Sequence, residues 1–212
     1  MGKKLASTFG NMLVVLFGVT LLASASVAYV YTLTKEPINQ ARLNKQAAAI
    51  REVIPGTFDN DPMADKWSKE SEGGRVLEFY PAKKNGETVG TAVKTYTQKG
   101  FSGEIWLMVG FLPDGKVTGY TVLEHKETPG LGSKMDVWFV KGGKGDITGR
   151  IPAENPLKVK QDQGEVDAIT AATISSRAFL DAVNRAAAAL QGDATSYDST
   201  SGATTSENTE SN

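Results

Sequence analysis

Two short stretches of this chain each place an aspartate six residues before a threonine and close on Ala-Thr. One is VDAITAATISSRAF, with Asp167 and Thr173; the other is YDSTSGATTSEN, with Asp198 and Thr204. The surroundings of the two threonines differ. After Thr173, residues Phe179, Leu180, Val183, Ala187 and Leu190 recur at helical spacing, so the sequence predicts a helix over 176–190, with Gly192 as its stop. Ser175 or Ser176 is the natural N-cap, since a side-chain oxygen there accepts a free first-turn amide. Thr173 then sits just before a helix N-terminus, where unpaired N–H groups and the positive dipole end favour an anion such as a phosphate. The plainer reading, a capped loop, stays open on spacing alone.

A second stretch, VLEHKETPGLGSKM, offers a different chemistry. Gly130 and Gly132 flank Leu131 and permit a close backbone approach or a left-handed turn. Such a loop either holds Leu131 out against the face of a flat ligand or tucks it into the core. His125, between Glu124 and Glu127, reads as a surface histidine or a proton carrier, and neither it nor Glu127 receives a role. GGKGDITGR lacks the strand–loop–helix context of a phosphate-binding P-loop and reads as a surface loop. Trp106, Trp138 and Phe139 read as core.

These residues need elements to position them. The chain has 212 residues, no cysteine, one histidine and a net charge of −1. Disulfides, thiol chemistry, iron–sulfur clusters and histidine-rich metal sites are excluded, and the length fits one domain plus extras. The last 22 residues hold four acidic side chains and no Lys or Arg, leaving the remainder only mildly basic, too mild for nucleic acid. Residues 12–33 carry no charge and span about 33 Å as a helix, enough for a bilayer core of about 30 Å. Lys3 and Lys4 before that run predict a cytoplasmic N-terminus and an exported domain. A cleavable signal ending near Ala23-Ser24-Ala25 is the rival.

The expected organisation is a cytoplasmic segment over 1–11 and a membrane helix over 12–34. A helical stalk opened by Glu36-Pro37 covers 35–54, a domain covers 55–190, and a disordered tail covers 191–212. Strands are predicted at 75–80, 88–97, 104–112 and 116–123, with turns at Asn85-Gly86 and Pro113-Asp114-Gly115. The fold class is α+β: an antiparallel sheet closed by a C-terminal helix.

Three segments, GFSGEIWLMVGF, GYTVLEHKETPGLGSKM and DAITAATISSRAFLDAV, resemble the flavin-bearing G subunit of the Rnf complex, the ion-translocating ferredoxin:NAD+ oxidoreductase. They are also similar to the C subunit of the sodium-pumping NADH:quinone reductase. The resemblance runs from the apolar helix to about Leu190. It implies an FMN-binding domain with FMN joined by a phosphoester to the last Thr of Asp-x-x-(Ser/Thr)-Gly-Ala-Thr. A flavin transferase makes that bond, with FAD as donor and a metal ion.

On this chain the pattern falls on Asp167, Thr170, Ala172 and Thr173, with Thr173 the acceptor and Ala171 where the pattern has glycine. Leu131, with Gly130 and Gly132, would wall the ring, and Thr128 would bond its polar edge. The tail copy ending at Thr204 fits the letters better, but no helix follows it. The implied partners are the other membrane subunits of such a complex and the transferase. The competing expectations are a membrane-tethered adaptor without flavin and a cleaved, soluble exported binding protein.

Overall fold

The computed structural model describes residues 8–71 and 75–192. Thr204 and the rest of the expected tail from residue 193 on lie outside the described residues, as does the N-terminal segment before Thr8. The chain divides into two compact units, Met1–Asn44 and Lys45–Asn212.

Helix α1, Phe9–Val53, is 45 residues long and is long and apolar enough to cross a membrane. Its hydroxyls bond inward: Thr20 donates to the Leu16 carbonyl (2.9 Å), Ser26 to Leu22 (2.8 Å) and Thr34 to Val30 (2.8 Å). These three hydroxyls are thereby satisfied without water. The sequence predicts a fresh helix at Glu36-Pro37, but Pro37 lies inside one continuous α1. A proline there removes a single backbone bond. The apolar run before it and the strong helix formers of LNKQAAAIREV after it outweigh that loss.

In the second unit five strands form an antiparallel meander in chain order. They are β1 (Trp67–Ser71), β2 (Arg75–Lys84), β3 (Glu87–Thr97), β4 (Ile105–Phe111) and β5 (Val117–Glu124). Asn85 and Gly86 both take positive φ (53° and 84°), the geometry of a tight hairpin turn whose twist matches the flanking strands. Strand β1 has no counterpart among the expected strands. WSKES has no apolar alternation, because an edge strand needs only its backbone, and its Trp67 ring stacks on Phe79 at 3.8 Å.

Side chains alternate between two cores. Phe79, Val93, Leu107 and Val109 face the cluster built around the last helix, α3 (Thr173–Gln191). Tyr80, Ala92 and Met108 face a smaller cluster with Ala49, Ile50, Val53 and Ile54. Phe179 anchors the first cluster, stacked on Phe139 at 4.3 Å and edge-on to Tyr120 at 4.6 Å. Tyr120 Oη donates to the Met135 carbonyl and accepts from the Phe139 amide (3.1 Å), which fixes the four-residue helix α2, Met135–Trp138, over the sheet.

Thirteen of the nineteen α3 residues are buried, including Asp181, Asn184 and Arg185. Thr97 Oγ1 donates to Asp181 (2.8 Å), and Asn184 holds both the amide and the carbonyl of Leu157 (2.8 and 2.9 Å). Gly192, at φ 110°, closes the helix as expected. GGKGDITGR is more than a surface loop. Asp146 accepts from the Gly142 and Thr148 amides (2.7 and 2.8 Å), and Ile147 is fully buried.

Candidate functional site

Helix α3 begins three residues earlier than the sequence predicts, at Thr173, with Ala172 as N-cap and no side chain capping it. Neither serine does the expected job. Ser176 Oγ accepts from the Ile169 amide (2.9 Å) and donates to the Ala172 carbonyl (3.0 Å), locking the preceding turn to the helix. Ser175 Oγ donates to Glu127 Oε2. The amides of Thr173, Ile174 and Ser175 therefore have no acceptor among the described residues, and the Thr173 hydroxyl has no hydrogen-bond partner among them. A partly exposed hydroxyl thus stands at the positive end of a five-turn helix.

The turn that delivers Thr173 is tight. The Ala172 amide bonds the Ile169 carbonyl at 3.0 Å, and Ala171, third in the turn, sits at φ 60°. A positive φ at that place is what glycine supplies most cheaply. The glycine of the pattern therefore has a backbone reason, and Ala171 keeps the conformation at a cost of about 1–2 kcal/mol.

Opposite lies the loop after β5. Its backbone is closed by the amides of Leu131 and Ser133 on the Thr128 carbonyl (3.1 and 3.4 Å) and by the Gly130 amide on Ser133 Oγ (2.9 Å). Gly130 takes φ 76°. Leu131 is 39% exposed and joins no core cluster, so the loop holds it outward. At Gly132 an added Cβ would stand 2.6 Å from Ser175 Oγ and 2.7 Å from Glu127 Oε2, so only a bare backbone lets this loop lie against α3.

Between the two is a pocket of about 350 Å³, lined by Phe101, Glu127, Thr128, Leu131 and Gly132 on one side and by residues 171–175 on the other. Of the residues singled out from the sequence, Thr128, Leu131, Gly132, Ala172 and Thr173 meet here. Gly130 shapes the loop from outside the lining. Thr170 is exposed on the turn, and Asp167 points away, paired with Lys160 at 2.8 Å while its carbonyl accepts from Trp138 Nε1.

Glu127 and Phe101 received no site role from the sequence. Glu127 is 4% exposed; its Oε1 accepts from the Ser102 amide (2.9 Å) and its own amide donates to His125 Nδ1 (3.1 Å). Phe101 is 67% exposed at the rim, in the GFSGEI segment whose residues carry part of the family resemblance.

The pocket fits a flavin mononucleotide. Its volume lies within the range of small-molecule sites. Leu131 and Phe101 offer apolar surface for a flat ring, and the free amides at the start of α3 face the place a phosphate on Thr173 would take.

Comparison with known proteins agrees. The FMN-binding domain family matches residues 100–188, which include every residue lining the pocket. The G subunit of the ion-translocating oxidoreductase complex of Vibrio cholerae is 33% identical over 171 residues, covering 78% of this chain and 82% of the relative. The G subunit of the Na(+)-translocating ferredoxin:NAD(+) oxidoreductase complex of Acetobacterium woodii is 34% identical over 182 residues, with 80% and 86% covered. The corresponding G subunit of Yersinia pestis is 36% identical over 177 residues, with 80% and 84% covered. About a third of the residues are thus shared with each relative along about four fifths of the chain, and the chain belongs to the family of G subunits of ion-translocating oxidoreductase complexes.

Proposed function

We propose that this chain is a membrane-anchored electron-transfer subunit that carries FMN, esterified through its phosphate to Thr173. It serves a complex coupling ferredoxin and NAD redox chemistry to ion translocation. The observation that carries the reading is the convergence of the TPGLG loop and Thr173 on one pocket at the uncapped start of α3.

FMN, when bound, supplies the electron transfer; the protein supplies attachment, orientation and electrostatics. Thr173 provides the hydroxyl that the ester would use. The amides of residues 173–175 offset the remaining phosphate charge, with the helix dipole behind them. Leu131 and Phe101 lay apolar surface against the ring, and Thr128 offers a hydroxyl to its polar edge. Attachment requires a flavin transferase as a maturation partner. The other subunits of the complex are the electron-transfer partners.

Helix α1 is the anchor. Lys3 and Lys4 ahead of its apolar run place the N-terminus in the cytoplasm and the FMN domain outside. A covalent tether suits that side, where free FMN is scarce. The apolar run carries no charge, so ion movement belongs to other subunits.

The test is a boiled denaturing gel viewed under ultraviolet light, after co-expression with a flavin transferase. Wild type fluoresces, Thr173→Ala is dark and Thr204→Ala stays bright. A dark wild type beside an active transferase favours the flavin-free adaptor, and a dark Thr204→Ala moves the attachment to the tail.

A further inference from the structure

Of the ten residues lining the pocket, one is ionisable: Glu127. It is buried to 4% exposure, and among the described residues no Lys, Arg or His forms an ion pair with it. Both its oxygens act as acceptors, Oε1 from the Ser102 amide and Oε2 from Ser175 Oγ, the role an ionised carboxylate fills. Two bare stretches of backbone press against it. Gly100 and Gly132 both lack a side chain where a Cβ would come within 2.8 and 2.7 Å of those same two oxygens.

We infer that Glu127 is a positioning residue in the electrostatic sense: its fixed negative charge against the flavin pocket holds the flavin's reduction potential low. This rests on the flavin reading above. An oxidised flavin ring that takes up two electrons and one proton gains one negative charge. Glu127 opposes that charge from the pocket wall, where its own burial keeps water from screening it as it would at an open surface. The carboxylate therefore biases the site toward passing electrons on. A residue needed only to tie the Phe101 loop to α3 would do as well with an amide, because glutamine keeps one acceptor for Ser102 and can donate to Ser175.

That difference is the test. The full-length chain in detergent, loaded by co-expression with a flavin transferase, is titrated with dithionite as electron donor beside a reference dye. Flavin content is read from gel fluorescence. Glu127→Gln at wild-type flavin content is expected to shift the dye equilibrium at least about tenfold toward reduced flavin, about 30 mV for a two-electron couple. An unmoved equilibrium, or one shifted the other way, overturns the inference.

If Glu127→Gln takes up no flavin, Glu127→Asp decides, since it keeps the charge. An equilibrium within about twofold of wild type supports the inference, and a tenfold shift toward reduced flavin overturns it. Loss of flavin from both variants overturns it too, making Glu127 a loading or folding residue. A wild-type chain without flavin would remove the reading beneath; a loaded wild type with an unmoved Glu127→Gln removes this inference alone.

Discussion

The two faces of the sheet are covered by helical segments of opposite character. On one face α3 is buried nearly all round, its polar side chains bonded inward and its start open toward the pocket. On the other face only the last turns of α1 and Ile54 are sealed, over the small cluster with Tyr80, Ala92 and Met108. That second contact depends on absence. Gly110 and Gly119 are partners across β4 and β5, and a Cβ on Gly110 would stand 2.2 Å from the Val53 carbonyl oxygen. Thr118 Oγ1 donates to that same carbonyl, which would otherwise be an unpaired helix-end acceptor. One face is held by packed rings and the other by a close backbone seat, so the two should fail differently.

The largest difference expected is between Phe179→Ala and Ile50→Val. Removing Phe179 takes away the ring that Phe139 and Tyr120 both touch, at about 3–5 kcal/mol. Ile50→Val deletes one methylene from the smaller cluster, at about 0.5–1.5 kcal/mol. Chemical unfolding of the detergent-solubilised chain, followed by tryptophan fluorescence, measures both. Equal losses would mean the two faces are equally deep, against the comparison.

Gly110→Ala comes next. Glycine to alanine in a strand ordinarily helps, since alanine loses less chain entropy on folding. Here the new methyl meets backbone that cannot swing aside, so a loss of about 1–3 kcal/mol is expected, as for overpacking in a tight core. Gly119→Ala, whose Cβ would come no nearer than 4.0 Å to Val53, serves as the neighbouring control and should cost far less.

The start of α3 gives a smaller effect of opposite sign. Ala171→Gly relieves about 1–2 kcal/mol of left-handed strain and gives back about 0.5–1 kcal/mol in chain entropy. A net gain of about 0.5–1 kcal/mol is expected in the same unfolding experiment, with flavin content unchanged. A loss of stability would mean the methyl group makes a contact that outweighs the strain.

How much of this was legible in the sequence follows from the range of each interaction. The TPGLG loop is legible as a glycine-flanked turn from five consecutive residues, but they leave open whether Leu131 points outward or into the core, and only the packing around it holds it out. The strands from β2 to β5 announce themselves by alternation and by turns such as Asn85-Gly86. Glu127 does not, because its bonds reach Ser102 and Ser175, 25 and 48 residues away. The same holds for α3, whose Asp181, Asn184 and Arg185 resemble a solvent face until Thr97 and Leu157 fold onto them. Ser175 and Ser176 have the chemistry of caps, and only the third dimension gives them other partners. Strand β1 carries no apolar signal because its contribution is an edge of backbone.

The smallest effect lies on the thinner face and depends on pH. Glu78 and Lys94 are opposite one another on β2 and β3, 2.9 Å apart, and Tyr80 Oη donates to the same Glu78 oxygen at 2.7 Å. Burial alone would raise the Glu78 carboxyl, but the bonds from Lys94 and Tyr80 outweigh it and hold its pKa below the ordinary value. A carboxyl depressed in the folded state stabilises at pH above its unfolded pKa of about 4.3 and loses that contribution as pH falls toward the folded value. Wild type should therefore lose stability between neutral pH and pH 3 more steeply than Glu78→Gln, whose side chain has no proton to take up. At neutral pH the variant should be slightly weaker, by about 1 kcal/mol or less, since the pair is partly solvated. Parallel pH profiles would show that the seat of α1 alone, and not the charges beside it, secures this side of the sheet.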